Sequence, residues 1–157
     1  GVCLTVVEIN GDEYKVTAIE ETLQKTNLNY LQIGSQVNLE RCMPANGRFD
    51  GHIVQGHVDG VGRVVTNEPG EKWQKFEIAI PQELQKYVVN QGSICIDGVS
   101  LTVGKIDDST SIVTLWLIPE TLEKTTLASK VAGTEVNIEV DVLAKYVERI
   151  MKAGANE

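Results

Sequence analysis

No run of about 18 apolar residues occurs in this sequence, so no stretch of it reads as a membrane-spanning helix. Nor does a charged stretch followed by an apolar one open the chain, which leaves export without support. Basic charge is scarce. Fourteen Lys and Arg against 22 Asp and Glu leave a net charge of -8, which argues against nucleic acid or an anionic membrane as partner. Cysteine is sparse too: Cys3, Cys42 and Cys95 are an odd number without CxxC spacing. That pattern favours reduced thiols in the cytoplasm over disulfides or a zinc site. The two histidines, His52 and His57, are five residues apart, and in a regular strand an odd separation puts them on opposite faces. A shared metal site is therefore not expected, and no third ligand lies close in sequence. Dinucleotide, P-loop and GxSxG signatures are all missing. What remains is ordinary for a soluble globular chain of one or two small domains, 42% hydrophobic and 23% charged.

Repetition is what the chain does have. Gly1-Val2-Cys3-Leu4-Thr5-Val6 is echoed by Gly98-Val99-Ser100-Leu101-Thr102-Val103, and Glu21-Thr22-Leu23 by Glu120-Thr121-Leu122. Val37-Asn38-Leu39-Glu40 returns as Val136-Asn137-Ile138-Glu139. Order is kept and the offset drifts only from 97 to 99 residues. A period near one hundred is too long for a solenoid and fits a duplicated small domain. Two similar pockets suit a reaction between two similar molecules. The second copy carries about 45 residues ahead of its GVSLTV strand, whereas the first begins at Gly1 inside a strand pattern. The expectation is a first domain lacking its front half.

Alternation of apolar residues makes most of the chain strand. The first strand ends at the turn Asn10-Gly11-Asp12, and 13–19 reads as its hairpin partner. Residues 20–27 fit one or two helical turns, 36–41 a strand, and 43–50 a polar loop with the Asn46-Gly47 turn signal. Residues 52–65 read as extended chain bent at glycines, 73–80 as a strand, and 81–88 as a helix with proline in its first turn. Short strands separated by frequent turns point to an all-β chain with a small barrel in each copy. Near the end, Leu143, Tyr146, Val147, Ile150 and Met151 fall on one face of a helix. That face fits either packing on the chain's own barrel or a contact between subunits. The reading thus divides the chain into 1–50, a first barrel; 51–141, a second barrel; and 142–157, a C-terminal helix.

Alternation also sets Cys3 and Thr5 on one face of their strand, with Val2, Leu4 and Val6 on the apolar side. Ser100 and Thr102 repeat this pair of short hydrogen-bonding groups. A half-exposed strand of ordinary β-formers would look the same in one copy; recurrence in both evens the two readings. His57, between Gly56 and Gly60, is a candidate general acid or base, with a purely structural histidine as the other reading.

The motifs GVCLTV, NLERC, GHIVQGHVDGVG, IDGVSLTV, IPETLEKTTL and VNIEVD resemble the riboflavin synthase family across essentially all 157 residues. The resemblance implies tandem six-stranded Greek-key β-barrels, with a C-terminal helix that helps build a homotrimer. It implies dismutation of two 6,7-dimethyl-8-ribityllumazine molecules by transfer of a four-carbon unit. The products are riboflavin and 5-amino-6-ribitylamino-pyrimidinedione, with no metal and no cofactor. A shared site between the first barrel of one subunit and the second of its neighbour is also implied.

By the same resemblance, Cys3, Leu4 and Thr5 bind the substrate in the first copy, with Thr17, Ala18, Ile19, Glu20, Glu21 and Thr22. Gly56, His57 and Val58 match a binding turn in which His57 is catalytic, with Cys3 or an activated water as nucleophile. In the second copy Ser100, Leu101 and Thr102 match, followed by Ile118, Pro119, Glu120, Thr121, Leu122 and Glu123. Asp97 and Asp141 match acidic positions beside that pocket. Gln91 stands where the family usually carries a ligand-touching Lys, keeping hydrogen bonding without the charge. The competing reading is a non-catalytic lumazine- or flavin-binding protein on the same fold. Such proteins do not keep the Cys and His together, whereas this chain has both.

Overall fold

Strand alternation closes a barrel in the second half of the chain. The strands are β3 (Gly60–Glu68), β4 (Gln74–Ala79), β5 (Ser93–Ile96), β6 (Val99–Asp107), β7 (Ile112–Leu117) and β8 (Glu135–Val140), in a computed structural model that describes residues 1–155. They pair antiparallel in the closed order β3-β4-β7-β6-β5-β8. The neighbours β4 and β7, distant in sequence, make the Greek-key crossover. Alternate residues fill the interior: Phe76 and Ile78 from β4, Val113, Leu115 and Leu117 from β7, Val136, Ile138 and Val140 from β8. Each such side chain contributes roughly 1.5–3 kcal/mol by leaving water. Truncating Phe76 to alanine would cost about 3–5 kcal/mol.

β8 is buried on both faces. Its inward residues are apolar, while Asn137 and Glu139 point the other way, Asn137 onto Asn27 of the first half and Glu139 onto Gln55 and Gly56 of the segment joining the halves. That first half forms a two-stranded sheet, β1 (Val6–Asn10) and β2 (Glu13–Val16), then α1 (Glu20–Lys25) and a 3₁₀ turn at Asn27–Tyr30. The strand expected at 36–41 does not form. Its counterpart β8 is held by β3 on one side and β5 on the other, and 36–41 has no such pair of partners. An extended segment without a ladder leaves its backbone groups to water. Residues 1–50 therefore form a hairpin and turns, not a closed barrel.

Local geometry recurs about 97 to 99 residues on. A bulge interrupts the ladder between Val6 and Glu8, and another between Val103 and Lys105. Thr26 closes α1 by donating its hydroxyl to the Thr22 carbonyl at 2.7 Å; Thr125 does the same to Thr121 at 2.7 Å, ending α2 (Pro119–Lys124). Gly34 and Gly133 turn the chain at φ +90° and +88°, a region open to glycine at no steric cost.

Two other expectations change. The helix at 81–88 is a 3₁₀ turn, Gln82–Tyr87. Of the extended stretch 52–65, only the part from Gly60 onward is strand. Gly56 lies at φ +71°, outside the strand region, and the Gln55 and Gly56 amides bond to Glu139 instead of to a ladder.

The closing helix α3 (Val142–Gly154) begins where Asp141 caps the Leu143 amide at 3.0 Å. It is tied down by polar groups. Lys145 reaches Asp59 at 2.8 Å, and Glu148 takes hydrogen bonds from Lys86 and Tyr87 of the 3₁₀ turn. Leu143, Tyr146, Val147, Ile150 and Met151 are left 56–70% exposed. Residues 156 and 157 of the segment assigned to this helix lie outside the described residues.

Candidate functional site

The first strand begins only at Val6, so Cys3 and Thr5, expected on it, lie in the chain before β1; both are exposed, while Val2 and Leu4 are half-buried. Ser100 and Thr102 stand on β6 in the same way, exposed between the half-buried Val99 and Leu101 and the buried Val103. Because Val6 pairs with Val16, the hairpin brings the residues before β1 and after β2 to one end. That end carries Cys3 and Thr5 beside Thr17, Ala18 and Ile19. The β6–β7 ladder does the same for Ser100 and Thr102 beside Ile118, where α2 begins.

The segment joining the halves touches both the Cys3 stretch and β6. The Cys3 amide donates to the Gly56 carbonyl at 2.8 Å, so the Gly56-His57-Val58 turn lies against the first of them. Only glycine fits at 56: a Cβ there would stand 2.6 Å from the Cys3 nitrogen. Gly51 and His52 lie against β6. The His52 Nδ1 and the Ser100 Oγ are 2.8 Å apart, and the His52 amide also reaches that oxygen at 3.4 Å. Strand parity therefore does not separate the two histidines as expected, because 52–59 is not a strand. His57 is exposed beside Gly56, and His52 is half-buried on Ser100 with its Nε2 enclosed and unpartnered.

The acidic residues divide. Glu21 pairs with Lys25 at 2.7 Å, and that hydrogen-bonded ammonium holds its carboxyl below the usual range. Glu120 pairs with Lys124 in the matching place. Glu20 accepts from Gln24 at 3.1 Å, while Thr22, Thr121 and Leu122 are half-buried and Pro119 and Glu123 exposed. Asp97 and Asp141, expected beside the second pocket, also make bonds within the fold. Both Asp97 oxygens are occupied, one by the Asn137 amide at 2.8 Å and the other by Lys130 at 2.8 Å. Asp141 is the α3 cap. Gln91 sits exposed at φ +64° in the turn before β5, its amide bonded to the Val103 carbonyl.

Sequence reasoning missed Glu139, Asn38 and Asn137. Asn137 Oδ1 accepts from the Asn27 amide at 2.7 Å, and Asn38 Oδ1 accepts from the Thr126 amide at 2.8 Å. Each copy's asparagine thus receives the other copy's backbone at matching positions. The signal was present in the repeated VNLE and VNIE, but alternation reads both polar residues as solvent-facing. A groove of about 440 Å³ lies between α1 and β3 and is lined by Leu23, Tyr30, Arg63 and Glu135 among others. None of the expected ligand residues lines it. Among the described residues no cluster of His, Cys, Asp and Glu could hold a metal, and no helix is long and apolar enough to cross a membrane.

Residues 1–42 and 55–141 match the model of the Lumazine binding domain family. A riboflavin synthase of Mycobacterium tuberculosis is 48% identical over 156 residues, covering 98% of this chain and 78% of that protein. One from Bacillus subtilis is 42% identical over 158 residues, covering 100% of this chain and 73% of its own length. Among solved structures, LumP complexed with riboflavin superposes with a TM-score of 0.80 at 30% identity, covering 88% of this chain and 74% of that one. LumP complexed with 6,7-dimethyl-8-(1'-D-ribityl) lumazine superposes at 0.78 with 27% identity, over 88% and 73% of the two chains.

Proposed function

The chain belongs to the riboflavin synthase family of lumazine-binding proteins, and from that footing we propose that it forms riboflavin by dismutating two molecules of 6,7-dimethyl-8-ribityllumazine. One molecule gives a four-carbon unit to the other, leaving 5-amino-6-ribitylamino-pyrimidinedione. The exchange balances in atoms and electrons, so it needs no external oxidant or cofactor. The observation that carries the reading is the pair of exposed short polar sets, Cys3 with Thr5 in the extended chain before β1 and Ser100 with Thr102 on β6, each met by a histidine-bearing part of one connecting segment.

Each set offers short hydrogen-bonding groups to a polar ring, and the helix-start segments 17–22 and 118–123 flank them. The lumazine 7-methyl proton is acidic, and His57, beside Cys3 through Gly56, is the group to relay it. Cys3 or a water molecule adds at C7 of the second molecule. Cys3 against Ser100 makes the two sets unequal, as donor and acceptor roles require. This difference also favours the enzyme over a non-catalytic lumazine-binding protein.

The tandem repeat, with boundaries near residues 50 and 141, is supported by the matching bulges, caps and reciprocal asparagines. A homotrimer assembled through α3 is supported by its polar attachment to its own barrel, which leaves the apolar stripe outward. Three unpaired cysteines are in keeping with a cytoplasmic location.

Incubating the protein with the lumazine tests the reaction. Riboflavin absorbance is expected, with two lumazines consumed for each riboflavin formed and no metal added. Binding without turnover by a trimer would move the chain to the non-catalytic reading.

A further inference from the structure

Glu139 belongs to the second copy, yet its carboxylate holds the turn that meets Cys3 of the first copy. One oxygen accepts from the Gln55 amide at 2.7 Å and the other from the Gly56 amide at 2.8 Å. On the far side, the Gly56 carbonyl accepts from the Cys3 amide at 2.8 Å. Three successive peptide units are thereby fixed, with His57 immediately after them. Glu139 itself is 3% exposed on the outward face of β8, which β3 and β5 hold on both sides. A buried carboxylate is tolerable only when its oxygens are paired, and two charge-assisted bonds to adjacent amides set position and orientation together. A carboxylate so placed does more than hold the fold: it fixes where Gly56 presents its carbonyl and from where His57 extends.

We propose that Glu139 is the positioning residue of the first pocket, a barrel carboxylate that sets the Gly56-His57 turn against Cys3. The proposal rests on the reading of that face as a substrate pocket. It distinguishes the two pockets, because no corresponding carboxylate contact reaches the Gly51-His52 part of the segment at Ser100 among the contacts described.

Glu139→Gln keeps the volume but turns one acceptor into an amide donor facing a backbone N–H. In the full chain, amide exchange at Gln55 and Gly56 is expected to accelerate while the β4 and β7 amides stay protected. Riboflavin titration should fall from two sites per chain to one, the surviving site keeping its affinity. Turnover should drop about a hundredfold, the scale of a misplaced catalytic group. Glu139→Asp, which keeps both oxygens on a shorter arm, should recover part of the exchange protection and of the turnover. Glu135→Gln, on the same strand but with its carboxylate on Arg63, should change neither. Slow exchange at 55 and 56 in Glu139→Gln, or parent turnover with both sites intact, would overturn the proposal. So would simultaneous loss of both sites with β4 and β7 protection, since Glu139 would then support the barrel generally; if Glu139→Gln does not fold, Glu139→Asp is judged by the same criteria. A parent protein that binds no riboflavin would fail the functional reading alone, and the exchange measurement would still decide the clamp.

Discussion

At the scale of single residues, backbone geometry decides more than side-chain chemistry. Gly56→Ala must place a methyl group 2.6 Å from the Cys3 nitrogen at φ +71°. The left-handed conformation alone costs about 1–2 kcal/mol, and the clash forces the turn away from Cys3. Turnover is expected to fall steeply while the barrel's melting temperature changes little, which paired kinetics and calorimetry will check. His57→Ala should lose about a hundredfold in turnover as a general acid or base. His52→Ala should act instead through Ser100, whose hydroxyl it meets at 2.8 Å, so the two variants should affect different pockets. Thiol chemistry separates in the same way. Cys95 is buried on β5, and burial, with the Glu139 charge added, pushes its thiol up to about 12. Alkylation of the folded protein at pH 8 should label Cys3 and Cys42 and spare Cys95, as peptide mapping will show.

At the scale of elements, what the sequence could tell depended on whether an element makes its own bonds. The β1–β2 hairpin was legible because Asn10-Gly11 supplies its turn, and α1 and α2 because their short polar runs close locally on Thr26 and Thr125. The apolar stripe of α3 was legible from spacing alone. A strand at 36–41 was not decidable locally, since a strand exists only beside its neighbours. The 52–59 segment misled for the opposite reason: its amides bond to Glu139, 83 or more residues away, and no local pattern records that.

The attachment of α3 carries a pH dependence with a definite sign. Lys152 first, then Lys86 and Tyr87, hold the Glu148 carboxyl down at about 2 against an ordinary 4.5. A depressed carboxyl lends stability that is fully present above 4.5 and disappears as pH falls toward 2. Amide exchange over residues 142–154 should therefore quicken between those values, and Glu148→Gln should abolish the dependence. Replacing Ile150 and Met151 by Asp leaves that attachment untouched. It should yield folded monomers with little activity, read by sedimentation and turnover together, because each apolar side chain buried in an assembly is worth roughly 1.5–3 kcal/mol.

For the whole molecule, the fold class could be read before any coordinates, because alternation is a property of the chain itself. The joint between the halves could not. It depends on Asn27 meeting Asn137 and Asn38 meeting Thr126 and Asp97, contacts between residues that look like ordinary surface polars. Asn137→Ala strips two of these bonds and leaves the Asn27 amide without its acceptor, at about 1–3 kcal/mol. The first half should then exchange its amides faster while the barrel keeps its protection.

That joint has a thermal consequence. Every buried apolar side chain of the core lies at Val64 or beyond, and none comes from residues 1–50. Unfolding heat capacity follows the apolar surface newly wetted, whereas polar surface contributes with the opposite sign. Parting the halves exposes amides and carboxylates, so it should register with almost no heat-capacity step and a shallow denaturant slope. Melting the barrel should give a large step. A scan should thus show the first half leaving as a sloping baseline before the peak, and the loss of the first pocket on warming should precede any calorimetric sign of unfolding.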